Sequence, residues 1–340
     1  MSIVQSRRRF LTDLGITGVA AVGGVGAIGV GSRTSLAEER PPEITTIRLE
    51  KVPPVTCIAP EYVADELLRA EGFTDIRYEL EDKPPLQMIA RNELDWTLEF
   101  APAAIKEFEA GAAATIVAGV HVGCFELFAQ EHIRGMTDLK GRTVGVSAQT
   151  ETPRDLVSIM ANYVGLDPDK DINWVHNPSA RSMELFIERK IDAFFASTPR
   201  AQELRARNIG HSIVNSSTDR PRSQYFCCML VGRTEFIDKY PVATKRVMRA
   251  ILKATDLCAY EPERAARLMV DRGLTPRYDY ALQSLKELPY GWRDFDPEDT
   301  VRFYALRLKE AGYTKSVPQQ IIAEHTNWRF LNELKSELKT

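Results

Sequence analysis

Between Ile44 and Val231 the chain alternates short apolar, β-branched runs with stretches of helical periodicity, and no other feature restricts its folding options as much. Thr46 to Val52, Ile76 to Leu80, Trp96 to Phe100, Thr115 to Val120, Thr143 to Val146, Ile172 to Val175, Asp192 to Ala196 and Ser212 to Val214 read as strands. Between them Glu61 to Glu71, Pro102 to Ala110, Pro153 to Tyr163, Ala180 to Lys190 and Pro199 to Arg207 read as helices, most of them closed by a glycine just past the end. Strand and helix in alternation predict an α/β protein with parallel sheets. From Pro241 onward the pattern is nearly all helical: Pro241 to Ala259, Pro262 to Arg272, Pro297 to Ala311 and Val317 to Leu338.

The first residues belong to another class. Ser6-Arg7-Arg8-Arg9-Phe10-Leu11 precedes an uncharged Gly- and Ala-rich run from Leu14 to Gly31, and Ser35-Leu36-Ala37 supplies a small-residue cleavage site. Residues 1–37 are therefore expected to be a twin-arginine signal peptide, cut after Ala37, that delivers the folded protein to the periplasm. A retained membrane anchor is the competing reading, and the seven glycines of the run argue against a permanent helix. The remaining 303 residues carry a net charge of −6 and no basic run, so a nucleic-acid partner is not expected. Their length suits two domains in a monomer.

The five cysteines, Cys57, Cys124, Cys227, Cys228 and Cys258, show no Cys-x-x-Cys or Cys/His ligand spacing. Neither a structural zinc nor another metal or cofactor is expected. If Cys227 and Cys228 lie on a regular strand they point to opposite faces, and each cysteine reads as a small buried hydrophobe.

Asp138-Leu139-Lys140-Gly141-Arg142-Thr143-Val144-Gly145-Val146 is followed by Gly165-Leu166-Asp167-Pro168 and then by Ile191-Asp192-Ala193-Phe194-Phe195. This series resembles the second lobe of the periplasmic substrate-binding proteins of ABC importers for nitrate, sulfonates, taurine and thiamine precursors. Asn92-Glu93-Leu94-Asp95-Trp96 stands where that family has a Gly-x-x-Asp turn, without the glycine. The resemblance implies a two-lobed periplasmic-binding-protein (type II) fold, with two Rossmann-like lobes joined by two crossing strands. Lobe 1 would comprise residues 44–130 plus 232–340 and lobe 2 residues 135–225, with Phe125 to Gln130 and Tyr225 to Val231 as the crossings. It further implies a small-molecule solute held in the cleft and an inner-membrane ABC permease as partner.

Ligands of open α/β sheets bind beyond the carboxyl ends of the strands. That rule selects Thr56 after the first strand, Ala101 after the third, and Cys124 and Phe125 at the first crossing. In the second lobe two helices are expected to open on the same tripeptide, Thr152-Pro153-Arg154 and Thr198-Pro199-Arg200, with threonine as N-cap and proline at N1. An arginine beside a positive helix end is unfavourable unless something negative sits there. Arg154 and Arg200 are therefore candidate anion ligands, with Thr150 just ahead of the first helix and Tyr225 on the return strand completing the set. Asp155 would close a capping box at the first helix.

Catalytic signatures are scarce: Gly-x-Ser-x-Gly, His-Glu-x-x-His and a P-loop are all absent. His121 and His132, with Glu126 and Glu131 nearby, read as a coincidence of spacing rather than a metal site. A binding protein for a sulfonate, nitrate, carboxylate or pyrimidine-like solute is the expected function, with no catalytic residues. An exported enzyme, or a thiamine-precursor-type enzyme on the same fold, is the alternative.

Overall fold

The computed structural model describes residues 39–52, 54–80, 83–148 and 151–338. The twin-arginine segment, its expected cleavage site and Thr150 lie outside the described residues.

Ten strands form, eight where the apolar runs predict them and two, β5 and β10, where the crossings are expected: β1 (Thr46–Lys51), β2 (Asp75–Leu80), β3 (Trp96–Phe100), β4 (Ala114–Val122), β5 (Phe125–Ala129), β6 (Arg142–Ser147), β7 (Ile172–Asn177), β8 (Ala193–Ser197), β9 (His211–Asn215) and β10 (Phe226–Arg233). They build two five-stranded sheets, one in the order β2-β1-β3-β10-β4 and the other in the order β7-β6-β8-β5-β9. The strands inside each sheet are nearly continuous apolar runs because helices cover both faces, as β10 shows; β4, although at a sheet edge, also has all nine residues buried. The edge strands β2, β7 and β9 are only partly buried.

Both sheets are mixed, which corrects the expectation of purely parallel ones. β1, β2 and β3 run parallel, as do β6, β7 and β8. β10 is antiparallel to β3 and β4, and β5 is antiparallel to β8 and β9. Each of these two strands follows a strand of the other sheet with no crossover helix, so the βαβ rule that forces parallel pairing does not govern it.

The chain leaves the first sheet between β4 and β5 through Gly123 and Cys124 alone, and returns between β9 and β10 through residues 216–225. These passages pack tightly. A Cβ at Gly123, whose φ is +55°, would lie 2.5 Å from the backbone of Ser217, so the residue is glycine because the second passage fills its space. Ser216 Oγ accepts hydrogen bonds from the amides of Cys124 (3.1 Å) and Phe125 (3.0 Å), which clips the passages together.

Two turns into strands share one device. Asn92 and Arg189 both have φ of 58°, the left-handed conformation usually reserved for glycine. Three residues later an aspartate anchors each turn: Asp95 accepts the Arg48 amide (3.0 Å) and Asp192 the Thr143 amide (2.9 Å). Asp95 also takes both Arg48 and Arg233, tying β1 and β10 to the turn. Asn92 thus performs the role of the missing glycine.

After β10 the helices Pro241–Tyr260, Pro297–Glu310 and Arg329–Glu337 pack back on the first sheet and its helices, while Tyr278–Glu287 reaches the helix Arg200–Ala206 beside the second sheet. The cysteine expectation fails at one point. The pairing of β10 with β4 shifts register around Cys228, and these bulges break the regular alternation. Adjacent Cys227 and Cys228 therefore join one cluster, in which Cys124, Cys227 and Cys228 place their sulfurs within 4.8 Å of one another.

Candidate functional site

The carboxyl ends of β1, β3, β6 and β8 converge on one cleft between the two sheets, about 270 Å³ in volume. From the first sheet come Glu50, Val52, Leu98, Glu99 and Phe100, with Pro54, Val55, Cys57 and Ile58 from the segment after β1. From the second come Ser147 and Ser197 at the last positions of β6 and β8, Phe195, the turn Pro178-Ser179-Ala180 after β7, Thr152, Pro153 and Arg200. One wall is thus apolar with two carboxylates, and the facing wall carries hydroxyls and one guanidinium.

Arg200 is the unusual member. It is the first residue of the helix Arg200–Ala206, partly buried, and makes no hydrogen bond or ion pair with any described residue. Burial pushes its pKa below the ordinary guanidinium value, and only the charge of Glu203 opposes this. A desolvated cation aimed into a cleft is what an anion site requires.

The carboxylates opposite are held by the protein itself. Glu50 accepts a hydrogen bond from the Thr97 hydroxyl, and Glu99 Oε1 accepts the Phe100 amide at 2.7 Å. They set the electrostatic character of that wall without standing loose in it.

The two Thr-Pro-Arg segments, identical in sequence, are not equivalent in structure. Arg154 turns away from the cleft: its guanidinium bonds Asp169 (2.6 Å) and lies 5.6 Å above the Trp174 ring. Asp169 supplies the negative partner that the helix end calls for, so no ligand is needed there. Neither threonine is a cap. Helix Thr152–Tyr163 starts from Glu151, and helix Arg200–Ala206 from Pro199, in both cases without a side-chain cap hydrogen bond. Asp155 does not close a capping box either; it bonds Lys106 at 2.7 Å across the cleft mouth, on the helix Ala101–Glu109 of the first sheet's side. Burial raises the Asp155 pKa, opposed by Lys106.

Of the other sequence candidates, Thr152 lines the cleft. Thr56 and Ala101 sit one layer behind it, fully buried, with the Thr56 amide 3.4 Å from the Thr198 carbonyl oxygen. Cys124, Phe125 and Thr198 line a separate cavity of about 240 Å³ on the far side of the passages. Tyr225 stacks on Phe303 with ring centroids 4.1 Å apart and takes no part in the cleft. Thr150 is outside the described residues. The residues that sequence reading missed, Glu50, Ser147, Ser179 and Ser197, all sit at or just past strand ends. Applying the strand-end rule to every strand would have found them.

Comparison with known proteins follows this geometry. Residues 116–271 match the model of the NMT1-like family. A bicarbonate-binding protein, CmpA of Synechococcus elongatus, is 28% identical over 102 residues, covering 30% of this chain and 22% of CmpA, so the chain spans well under a third of that relative. The periplasmic nitrate-binding protein NrtA of Synechocystis superposes with a TM-score of 0.71 at 14% identity, covering 88% of this chain and 90% of NrtA. The alkanesulfonate-binding protein SsuA of Xanthomonas axonopodis, solved with MOPS, gives 0.67 at 14% identity, covering 81% of this chain and 96% of SsuA. These likenesses establish the periplasmic-binding-protein fold.

Proposed function

We propose that this chain, which matches the NMT1-like family model over residues 116–271 and has the periplasmic-binding-protein fold, is the extracytoplasmic solute-binding component of an ABC importer. It captures a small organic or inorganic anion between its two lobes and presents it to an inner-membrane permease. The lobes follow the two sheets, with the C-terminal helices completing the first. Delivery to the periplasm through a twin-arginine signal belongs to the same reading, as does action as a monomeric binding protein rather than an enzyme.

The observation that carries the proposal is the unpaired, desolvated Arg200 in a cleft formed by strand ends of both sheets. The hydroxyls of Ser147, Thr152, Ser179 and Ser197 surround the same wall and suit the oxygens of a carboxylate or sulfonate. Phe100, Phe195, Leu98 and Ile58 give an organic body an apolar surface. The relatives support this class: CmpA is a bicarbonate-binding protein, NrtA a nitrate-binding protein and SsuA an alkanesulfonate-binding protein solved with MOPS.

The test is thermal unfolding of residues 38–340 with nitrate, bicarbonate, MOPS, short alkanesulfonates and small carboxylates at millimolar concentration. A solute present at 100 times its Kd adds about 2.7 kcal/mol, which raises Tm by roughly 4 °C for a chain of this size. A flat response across the panel would contradict the proposal.

A further inference from the structure

We infer that the floor of the cleft is a binding site for one thiophilic d10 cation, Zn(II) or Cu(I), held by Cys57 Sγ, Cys228 Sγ and His121 Nε2. Cys57, His121 and Cys228 bring their donor atoms within 4.8 Å of one another, and all three are buried. Two thiolates and an imidazole around one zinc at the usual bond lengths place donor atoms about 3.5–3.8 Å apart, so small adjustments of χ angles suffice.

His121 provides the second, independent indication. Its Nδ1 lies 3.1 Å from the Gly123 carbonyl oxygen and donates to it, which fixes the tautomer and leaves the Nε2 lone pair free. Nε2 is fully buried and has no partner among the described residues. A buried acceptor without a partner costs free energy, and the arrangement of one ring nitrogen bonded to a carbonyl with the other bare is the one that metal-ligating histidines adopt.

The three segments concerned are far apart in sequence: the turn after β1, the end of β4 and the start of β10. Only the passages between the sheets bring them together, and the bulges in β10 are what turn Cys228 into the group. The donor set is soft, without a carboxylate ligand, and therefore selects Zn(II) or Cu(I) over Mg(II) or Ca(II). Cys57 and Cys228 also line the cleft, so the ion would sit one layer beneath the solute and brace its floor.

The experiment uses the full chain purified anaerobically with reductant, loaded separately with Zn(II) and Cu(I), desalted and assayed by elemental mass spectrometry, with Co(II) as a spectroscopic substitute. One equivalent of Zn(II) or Cu(I) is expected to be retained, and competition between the two ions identifies the preferred one. Cobalt is expected to show thiolate charge-transfer absorption. Cys228→Ser and Cys57→Ser are each expected to weaken retention at least about 100-fold, since even outer-shell partners are worth 10–100-fold. Cys258→Ser, a buried thiol outside the cluster, is expected to retain the ion in full and serves as the folding control. Should either serine variant unfold, His121→Gln replaces it, with folding confirmed by circular dichroism. The inference is overturned if the parent retains neither ion. It is equally overturned if the serine variants retain the ion as well as the parent.

Discussion

Replacing Arg200 by glutamine separates binding from stability in a way that few other positions allow. The guanidinium is partly buried against the cleft wall with no carboxylate bonded to it among the described residues, so in the empty protein it is a cost rather than a support. Arg200→Gln is therefore expected to leave the Tm of the solute-free protein unchanged or slightly raised. Solute binding should suffer instead. Removing one partner of a buried, hydrogen-bonded charge pair costs about 2–5 kcal/mol, which at 1.4 kcal/mol per decade is roughly a 30- to 4,000-fold rise in Kd. Arg154→Gln is the matched control. Its ion pair with Asp169, whose side chain is 67% exposed, is worth under about 1 kcal/mol, and its loss should leave affinity unchanged. Isothermal titration calorimetry with whichever panel member stabilises the parent most reads both variants. Equal affinity in Arg200→Gln and the parent, or a loss confined to Arg154→Gln, would refute the assignment.

Other positions test the fold's account of itself. Glu61 is fully buried, neither carboxylate oxygen has a partner among the described residues, and burial holds its pKa well above the usual range. A raised folded-state pKa contributes stability below the unfolded value of about 4.3 and loses it as pH rises toward the folded value. Glu61→Gln should gain on the parent above that pH, by up to about 1.4 kcal/mol per pH unit, and denaturant midpoints that stay parallel from pH 5 to 8 would contradict this. Gly123→Ala meets the Ser217 backbone and a left-handed φ, and is expected to cost roughly 2–4 kcal/mol; urea unfolding with no change in midpoint would mean that the passages are not packed as described. Arg189→Gly relieves a left-handed side chain and should stabilise by up to about 1 kcal/mol after the glycine's greater unfolded-state entropy is deducted, whereas a lower Tm would show that the turn is held by the arginine itself.

Much of the fold was legible because its signals are local. Apolar runs, most with a glycine just past the following helix, placed eight of the ten strands to within one or two residues; β5 and β10 were expected as the crossings that the resemblance implied, and the order of weak motifs after Asp138 carried that resemblance. The site was less legible, and the two Thr-Pro-Arg segments show why. The same three residues yield a cleft cation at Arg200 and a surface ion pair at Arg154, because Asp169 and Trp174 reach the latter and no described residue bonds the former. That difference is tertiary and has no local sign. The cysteine cluster escaped for a related reason. Alternation along a strand assumes a regular pleat, and the register shifts around Cys228 remove it. Tyr225 was drawn toward the ligand by its place on the return strand, yet Phe303 from the C-terminal helices covers it.

The central claim is that the cleft at Arg200 holds one small anion per chain. Native mass spectrometry of residues 38–340, incubated with the solute panel and sprayed under gentle conditions, tests it most directly. The account predicts a single adduct per chain for one chemical class of anion, retained at high occupancy by the parent and Arg154→Gln and lost by Arg200→Gln. A spectrum showing only the bare chain with every solute, or an adduct indifferent to Arg200→Gln, would contradict it.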